Sequence, residues 1–462
     1  MQGTVWGSLL CTATMDKLGQ LFYKKPELVY KYKGVVETPS LGMVDDIMCI
    51  QRCSNGTVEM NAVVNAFVEC KKLKLSKKKC HRIHVQSKKV KNVPNCADLK
   101  IHTETMNNAV QEKYLGDLVN TSGTIRNTVE DRKSKGFGIV NEIIAILDEI
   151  PLGRFKMEIG LKLRQAMLLN GILYNSEAWH SVTEVELRQL ETVDEHLLRA
   201  LVKGHSKTPL EFLYLEAGAI PIRMIMSSRR LMYHHAILKR EESELTQRIY
   251  MEQLNNTTPG DFVELLAKDF ELINVQKNDE EIANTNTAQY KKLIKKQIKA
   301  AAFKYLRNIQ EKHTKIRHIE YEKLEVQKYM TSPIFTNDEV NLLHALRSRS
   351  TECKVNYKQK YVGSNLLCSL CKIADEDQKH LLTCKVLTQN MKSDEITKEK
   401  VKYEDIFSSD VRKQKVVTVL YQELFKIREN LSENLNSQLA PSTTQSVELR
   451  TSDDLLQCID NL

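Results

Sequence analysis

The spacing of apolar residues changes once along this chain. Over residues 1–120, short apolar runs (LGMV, IMCI, HRIHV, LKIH, KYLGDLV) are separated by turn-forming residues, which predicts short strands. One stretch there reads as a helix: after an Asn55-Gly56 turn, Met60, Val63, Val64 and Phe67 recur on one face. From about residue 124 the helical period takes over. Thr183 and Glu186 match a capping box, and Leu187, Leu190, Val193, Leu197 and Leu201 continue from it as one stripe, so helix is expected to pack on helix. Polar breaks at 254–262 and 276–289 read as linkers.

Residues 290–330 are the most basic segment, with twelve Lys or Arg against four Glu. Leu293, Ile294, Ile298, Ala302, Tyr305 and Ile309 run through it as an apolar stripe, which predicts one long helix with its lysines on the opposite face. From about residue 431 (SENLNSQLAPSTTQS) apolar residues are too few to bury, and a disordered tail is expected. The pattern as a whole predicts an α+β chain, mostly helical, divided as 1–120, 121–275, 276–350, 351–390 and 391–462, the last with short helices before its tail.

At 42% hydrophobic, the 462 residues suffice for real cores. Lys and Arg exceed the acids by only 68 to 59, so where the charge lies says more than the total. No apolar run approaches the roughly 20 residues of a membrane span, and no secretory signal is read. Eleven cysteines, an odd number scattered along the chain, fit a reducing compartment; an intracellular protein of nucleus or cytoplasm is expected.

Two stretches carry candidate chemistry. In LGMVDDIMCI, Asp45 and Asp46 stand side by side between apolar arms. They form either a plain hairpin tip or a Mg²⁺ site, because adjacent carboxylates repel unless a cation lies between them and hard oxygen ligands suit Mg²⁺. In NLLCSLCKIADEDQKHLLTC, Cys368 and Cys371 are two residues apart in the C-x2-C sense, and His380 and Cys384 are spaced to project from one side of a helical turn. Four such ligands can close a tetrahedron around a structural Zn²⁺; the plain alternative is three cysteines buried in an apolar helical hairpin. Cys353 lies outside the pattern and reads as a buried thiol.

The order of motifs resembles one family. QGTVWGSLLCTATMDKLG is similar to the Gln-Gly motif and palm helix of reverse transcriptases, MVDDI to their catalytic Asp-Asp hairpin, LKLSKKKCHRIHV to the next helix and lysine turn, and KYLGDLVNTSG to the primer grip hairpin. LYNSEAWHSVTEVELRQLETVDEHLLRALVKG and TPLEFLYLEAGAIPIR resemble the thumb and post-thumb helices of non-LTR retrotransposon polymerases, whose polyproteins also carry a Cys-Cys-His-Cys element downstream. The likeness implies half a palm over 1–120, a helical thumb over 121–275, a basic linker, and a zinc module over 351–390.

It also implies roles. Asp45 would bind both Mg²⁺ ions of an RNA-directed DNA polymerase, a nucleotidyltransferase, with Asp46 holding charge beside it. Gln2 and Gly3 would lie against nucleotide and template, Lys79 would donate a proton or charge to pyrophosphate, and Tyr114, Leu115 and Gly116 would hold the primer end. RNA and DNA are the implied partners. Met43 departs from the pattern, standing where the family commonly has an aromatic. In the family, the fingers and the strand with a third metal-binding Asp precede the Gln-Gly motif, so the catalytic site of this fragment is expected to be incomplete, inactive alone, and open to a separate chain supplying the missing palm half. The same missing strands would leave a palm edge unpaired and residues 1–120 less stable than the thumb. The alternative is a non-enzymatic, zinc-containing RNA- or DNA-binding protein derived from a retroelement, using Lys291, Lys292, Lys295, Lys296 and Lys299 on phosphates.

Overall fold

The expected change of period is visible in the structure, a computed structural model that describes residues 5–86, 98–101, 104–149, 155–206, 208–361, 365–391 and 401–439. The fold is α+β and mostly helical. It divides into two units, 1–337 and 338–462. The boundary between them falls inside the segment expected to be a linker, and the basic helix lies within the first unit.

The first unit opens with α1 (Val5–Tyr23) and, beyond a hairpin over residues 40–49, α2 (Ser54–Cys70). Leu18, Phe22, Leu28, Met60, Phe67 and Val68 make a small core between them, with Val63, Val64 and the hairpin's Ile47 packed against it. Asn55-Gly56 is not a turn ahead of α2: both residues lie in its first turn, and the Cys53 sulfur at the N-cap accepts from the Gly56 N–H at 3.4 Å. Among the described residues every strand pairs with only one other, so each sheet has two free edges. Leu9, Leu10 and Met43 stay at least half exposed. The described part of residues 1–120 buries few large side chains, at roughly 1.5–3 kcal/mol each.

The helical part is better filled. In α3 (Arg126–Glu149), Val129, Val140, Ile143 and Leu147 are buried, facing Leu190, Val193 and Leu197 of α4 (Glu184–Val202). Gly136 permits their close approach, since a Cβ there would lie 2.8 Å from both Ile172 and Val193. The capping box is present, with Glu186 accepting from the Thr183 N–H at 2.9 Å. Then α5 (Leu210–Ala217) ends at Gly218, whose φ of 59° and close contact with the Glu325–Val326 backbone exclude any side chain.

Next, α6 (Ile222–Leu238) packs on α7 (Thr287–Lys312), the basic helix. It is shorter than the sequence predicts. Buried Gln310 donates to the carbonyls of both Ile316 and Ile319 at 2.7 Å, which folds the chain back after Lys312. Its buried stripe steps strictly by four (Tyr290, Ile294, Ile298, Ala302, Leu306, Gln310), leaving Leu293 42% exposed and Ile309 half-buried instead of core.

In the second unit, a knuckle over 366–376 leads into α8 (Gln378–Thr383), and α9 (Val411–Leu439) is the last described element. Val417, Leu420, Tyr421 and Leu424 are buried along α9. Where the composition predicts a disordered tail from about 431, the helix runs on to Leu439, propagating from that buried half at little cost per residue. No described helix is long and apolar enough to cross a membrane.

Candidate functional site

The Asp-Asp stretch is a two-residue hairpin: Met43 pairs with Asp46, so Val44 and Asp45 make the turn and Asp46 begins the returning strand. Val44 has φ 58°, a left-handed conformation unfavourable for a β-branched residue by about 1–3 kcal/mol. That strained tip lifts Asp45 clear of the strand ladder, and both carboxylates are exposed. Asp16, on α1, is exposed and among the described residues accepts from Gln20 alone.

A second two-residue hairpin follows over residues 111–120, with Tyr114 opposite Asp117 and Leu115-Gly116 between them, both at positive φ (47° and 97°). Tyr114 ties the two hairpins together: its phenol donates to the Leu41 carbonyl at 3.0 Å. Burial, then the nearby charge of Asp46, raises the phenol's pKa and keeps it a donor.

The other side of this second hairpin is gripped by the helical part. Arg132 of α3 donates to the Gly116 carbonyl at 2.9 Å and to Asp117 Oδ1 at 3.1 Å, while Asn175 donates to the Leu115 carbonyl at 3.1 Å and to Asp117 Oδ2 at 3.2 Å. The Arg132 guanidinium lies 5.4 Å over the Tyr174 ring, which leaves no room for a Cβ on Gly116. Asp117 is therefore held as a bridge and is no third metal ligand. Arg132 and Asn175 escape sequence reasoning, because nothing local marks residues 15 and 58 positions away in sequence as partners of one aspartate, and Tyr174 enters through Arg132.

The other residues implied by the resemblance are placed less tellingly. Gln2 and Gly3 lie outside the described residues. Lys79 is exposed in a short 3-10 turn with no bond to Asp45 or Asp46 among the described residues. Leu115 is exposed at its hairpin tip. No described His, Cys, Asp or Glu joins Asp45 and Asp46 in a cluster of three. Two carboxylates on one hairpin are too few to fix a pair of Mg²⁺ ions, so the residues described here do not fit a complete two-metal site.

The cysteine-histidine group does close. One ligand atom from each of Cys368, Cys371, His380 and Cys384 lies within 4.8 Å of all the others. Cys371 Sγ and His380 Nε2 are 3.2 Å apart. Zn²⁺ with ligand bonds of about 2.0–2.3 Å fits such a cage. Backbone geometry builds it: Cys368 N–H donates to the Ala374 carbonyl at 2.8 Å and Lys372 N–H to the Cys368 carbonyl at 3.0 Å, with Lys372 at φ 59°, while Asp377 caps α8 by accepting the His380 N–H at 2.7 Å.

Burial pushes the Cys371 thiol up, but donors from the Ile373 and Ala374 backbone and from the neighbouring thiols outweigh it and bring it down to about 6; burial leads in raising Cys384 to about 11. Around the cage, Glu376 accepts from the Ser369 N–H at 3.2 Å and from Arg428 of α9 at 3.4 Å, and Tyr421 donates to the Gln378 carbonyl at 2.7 Å. Cys353 is a buried thiol outside the cage.

On α7, Lys291, Lys292, Lys295 and Lys296 are exposed, and Lys299 lies 3.6 Å from Glu325. No family model, curated protein or solved structure matches the chain.

Proposed function

We propose that this chain is the part of a non-LTR reverse transcriptase that runs from the catalytic hairpin through the thumb to the zinc element, and that it binds RNA and DNA without polymerising alone. The observation that carries this reading is the Tyr114–Leu41 bond, which sets the Asp45 hairpin and the Leu115–Gly116 tip side by side as a polymerase needs its metal-binding acids and its primer end. In that role Asp45 and Asp46 supply part of the negative cage, Tyr114 fixes the distance between the hairpins, and Arg132 and Asn175 hold the primer-side tip against the thumb. The family's metal pair would supply an activated primer hydroxyl and a stabilised leaving pyrophosphate. Holding those ions needs carboxylates beyond these two.

A primer–template duplex whose last primer nucleotide carries a photoreactive base tests the reading. Irradiation with the full chain is expected to give adducts at residues 114–116, found by mass spectrometry. Adducts confined to α7 or the zinc module would favour the non-enzymatic reading, in which nucleic acid is bound by lysines and zinc knuckle with no primer site.

A further inference from the structure

The lysines of α7 cost the protein stability and receive nothing visible in return. Three pairs, Lys291–Lys295, Lys292–Lys296 and Lys295–Lys299, stand four apart on one helix, where like charges destabilise by about 0.2–0.5 kcal/mol per pair. The helix holds a single acid, Glu311, at its far end. Only Lys299 has an acidic partner; Lys291, Lys292, Lys295 and Lys296 have none among the described residues.

We propose that this face binds double-stranded nucleic acid through its phosphates, independently of sequence and of the Asp45 hairpin. Lysines four apart advance by about 6 Å along the axis, comparable with the step between successive phosphates on one strand. Unpaired strands are held chiefly by stacking on a succession of aromatic rings, and this face carries a single one, the half-buried Phe303 one turn beyond Lys299. Tyr290 is buried and stacked on His235, with ring centroids 4.6 Å apart, and Tyr305 is half-buried under Arg223. An anionic membrane is a poorer match, because the apolar stripe that would have to insert is spent on α6 and α5. The face is also rigidly presented. His235 Nε2 and Lys239 Nζ both reach the Thr285 carbonyl, at 3.0 and 2.9 Å, and Asn286 caps α7 by accepting the Ala288 N–H at 2.8 Å.

The test compares the zinc-loaded full chain with a variant carrying Lys291→Gln, Lys292→Gln, Lys295→Gln and Lys296→Gln, using anisotropy of a labelled RNA–DNA hybrid and of one of its single strands across a KCl series. The variant is expected to bind the hybrid at least about tenfold more weakly near 0.1 M salt, and its log-log salt slope to fall by roughly three to four, the counterions no longer released. Single-strand affinity is expected to change less than about threefold, and the thermal midpoint not to fall, since repulsion has been removed. The matching four Lys→Arg changes should keep hybrid affinity. Unchanged affinity and slope on the hybrid would overturn the proposal; so would an equal loss on the single strand. Primer adducts at Tyr114 do not depend on these lysines, so either claim can fail while the other stands.

Discussion

If Zn²⁺ fills the Cys368–Cys371–His380–Cys384 cage, stripping it is expected to unfold the knuckle and α8 and to loosen α9. The segment 365–391 is short, and its buried apolar side chains are only Cys368, Leu381, Cys384 and Leu387 among the described residues. Metal binding at such sites contributes about 10 kcal/mol or more to folding, far above what those few side chains can supply. The loss would spread because Glu376 and Gln378, set by the knuckle and α8, are the partners of Arg428 and Tyr421 on α9. Hydrogen exchange over 365–391 and 411–430, with and without a strong chelator, measures it. Cys384→Ser should behave like the chelated protein, and Co²⁺ should give a thiolate charge-transfer band in the wild type alone. Exchange that ignores the chelator would return these cysteines to an ordinary core. Because the ligands must shed protons to bind, affinity should weaken as pH falls.

Asp194→Ala is expected to cost the first unit about 3–5 kcal/mol, the usual penalty for leaving one member of a buried ion pair uncompensated. Asp194 is fully buried and takes both arms of Arg164, at 2.5 and 2.6 Å, and the Tyr214 hydroxyl at 2.8 Å. Arg164 also donates to the Ile220 carbonyl at 2.9 Å and begins a π-helical turn, Arg164–Leu169. Burial lowers the Arg164 pKa, but the Asp194 charge outweighs it and raises the value; burial, then Asp194, raises Tyr214. Removing the carboxylate would therefore strand a guanidinium and a hydroxyl in the core of the first unit. Urea unfolding gives the number. The double change Arg164→Met, Asp194→Leu should recover most of the loss, and a single-variant cost under about 1 kcal/mol would show that water reaches the pair.

These two sites differ in how far the chain announces them. The cysteine-histidine cluster is legible because its four residues fall within seventeen positions at spacings fixed by one knuckle and one helical turn. The Thr183–Glu186 cap and the stripe along α4 are legible for the same reason: both are local periodicities. Arg164 and Asp194 are thirty residues apart on separate elements, and the π-helical turn from which Arg164 reaches Asp194 has no counterpart in a 3.6-residue count. The Asp117 bridge is hidden likewise. On α7 the period itself misleads, since a stripe stepping by four drifts around the helix and exchanges Leu293 for Tyr290 and Ile309 for Gln310. The Asp45 hairpin was legible as a hairpin, but the strain at Val44 and the Tyr114 link to Leu41 exist only in three dimensions.

The central claim, that Asp45 and Asp46 form an incomplete polymerase metal site, is tested most directly by titrating the zinc-loaded chain with Mn²⁺ and counting bound ions by electron paramagnetic resonance. One weakly held ion, displaced by Mg²⁺ and lost in Asp45→Asn, is the predicted result. Two tightly held ions, or a titration that Asp45→Asn leaves unchanged, would contradict it.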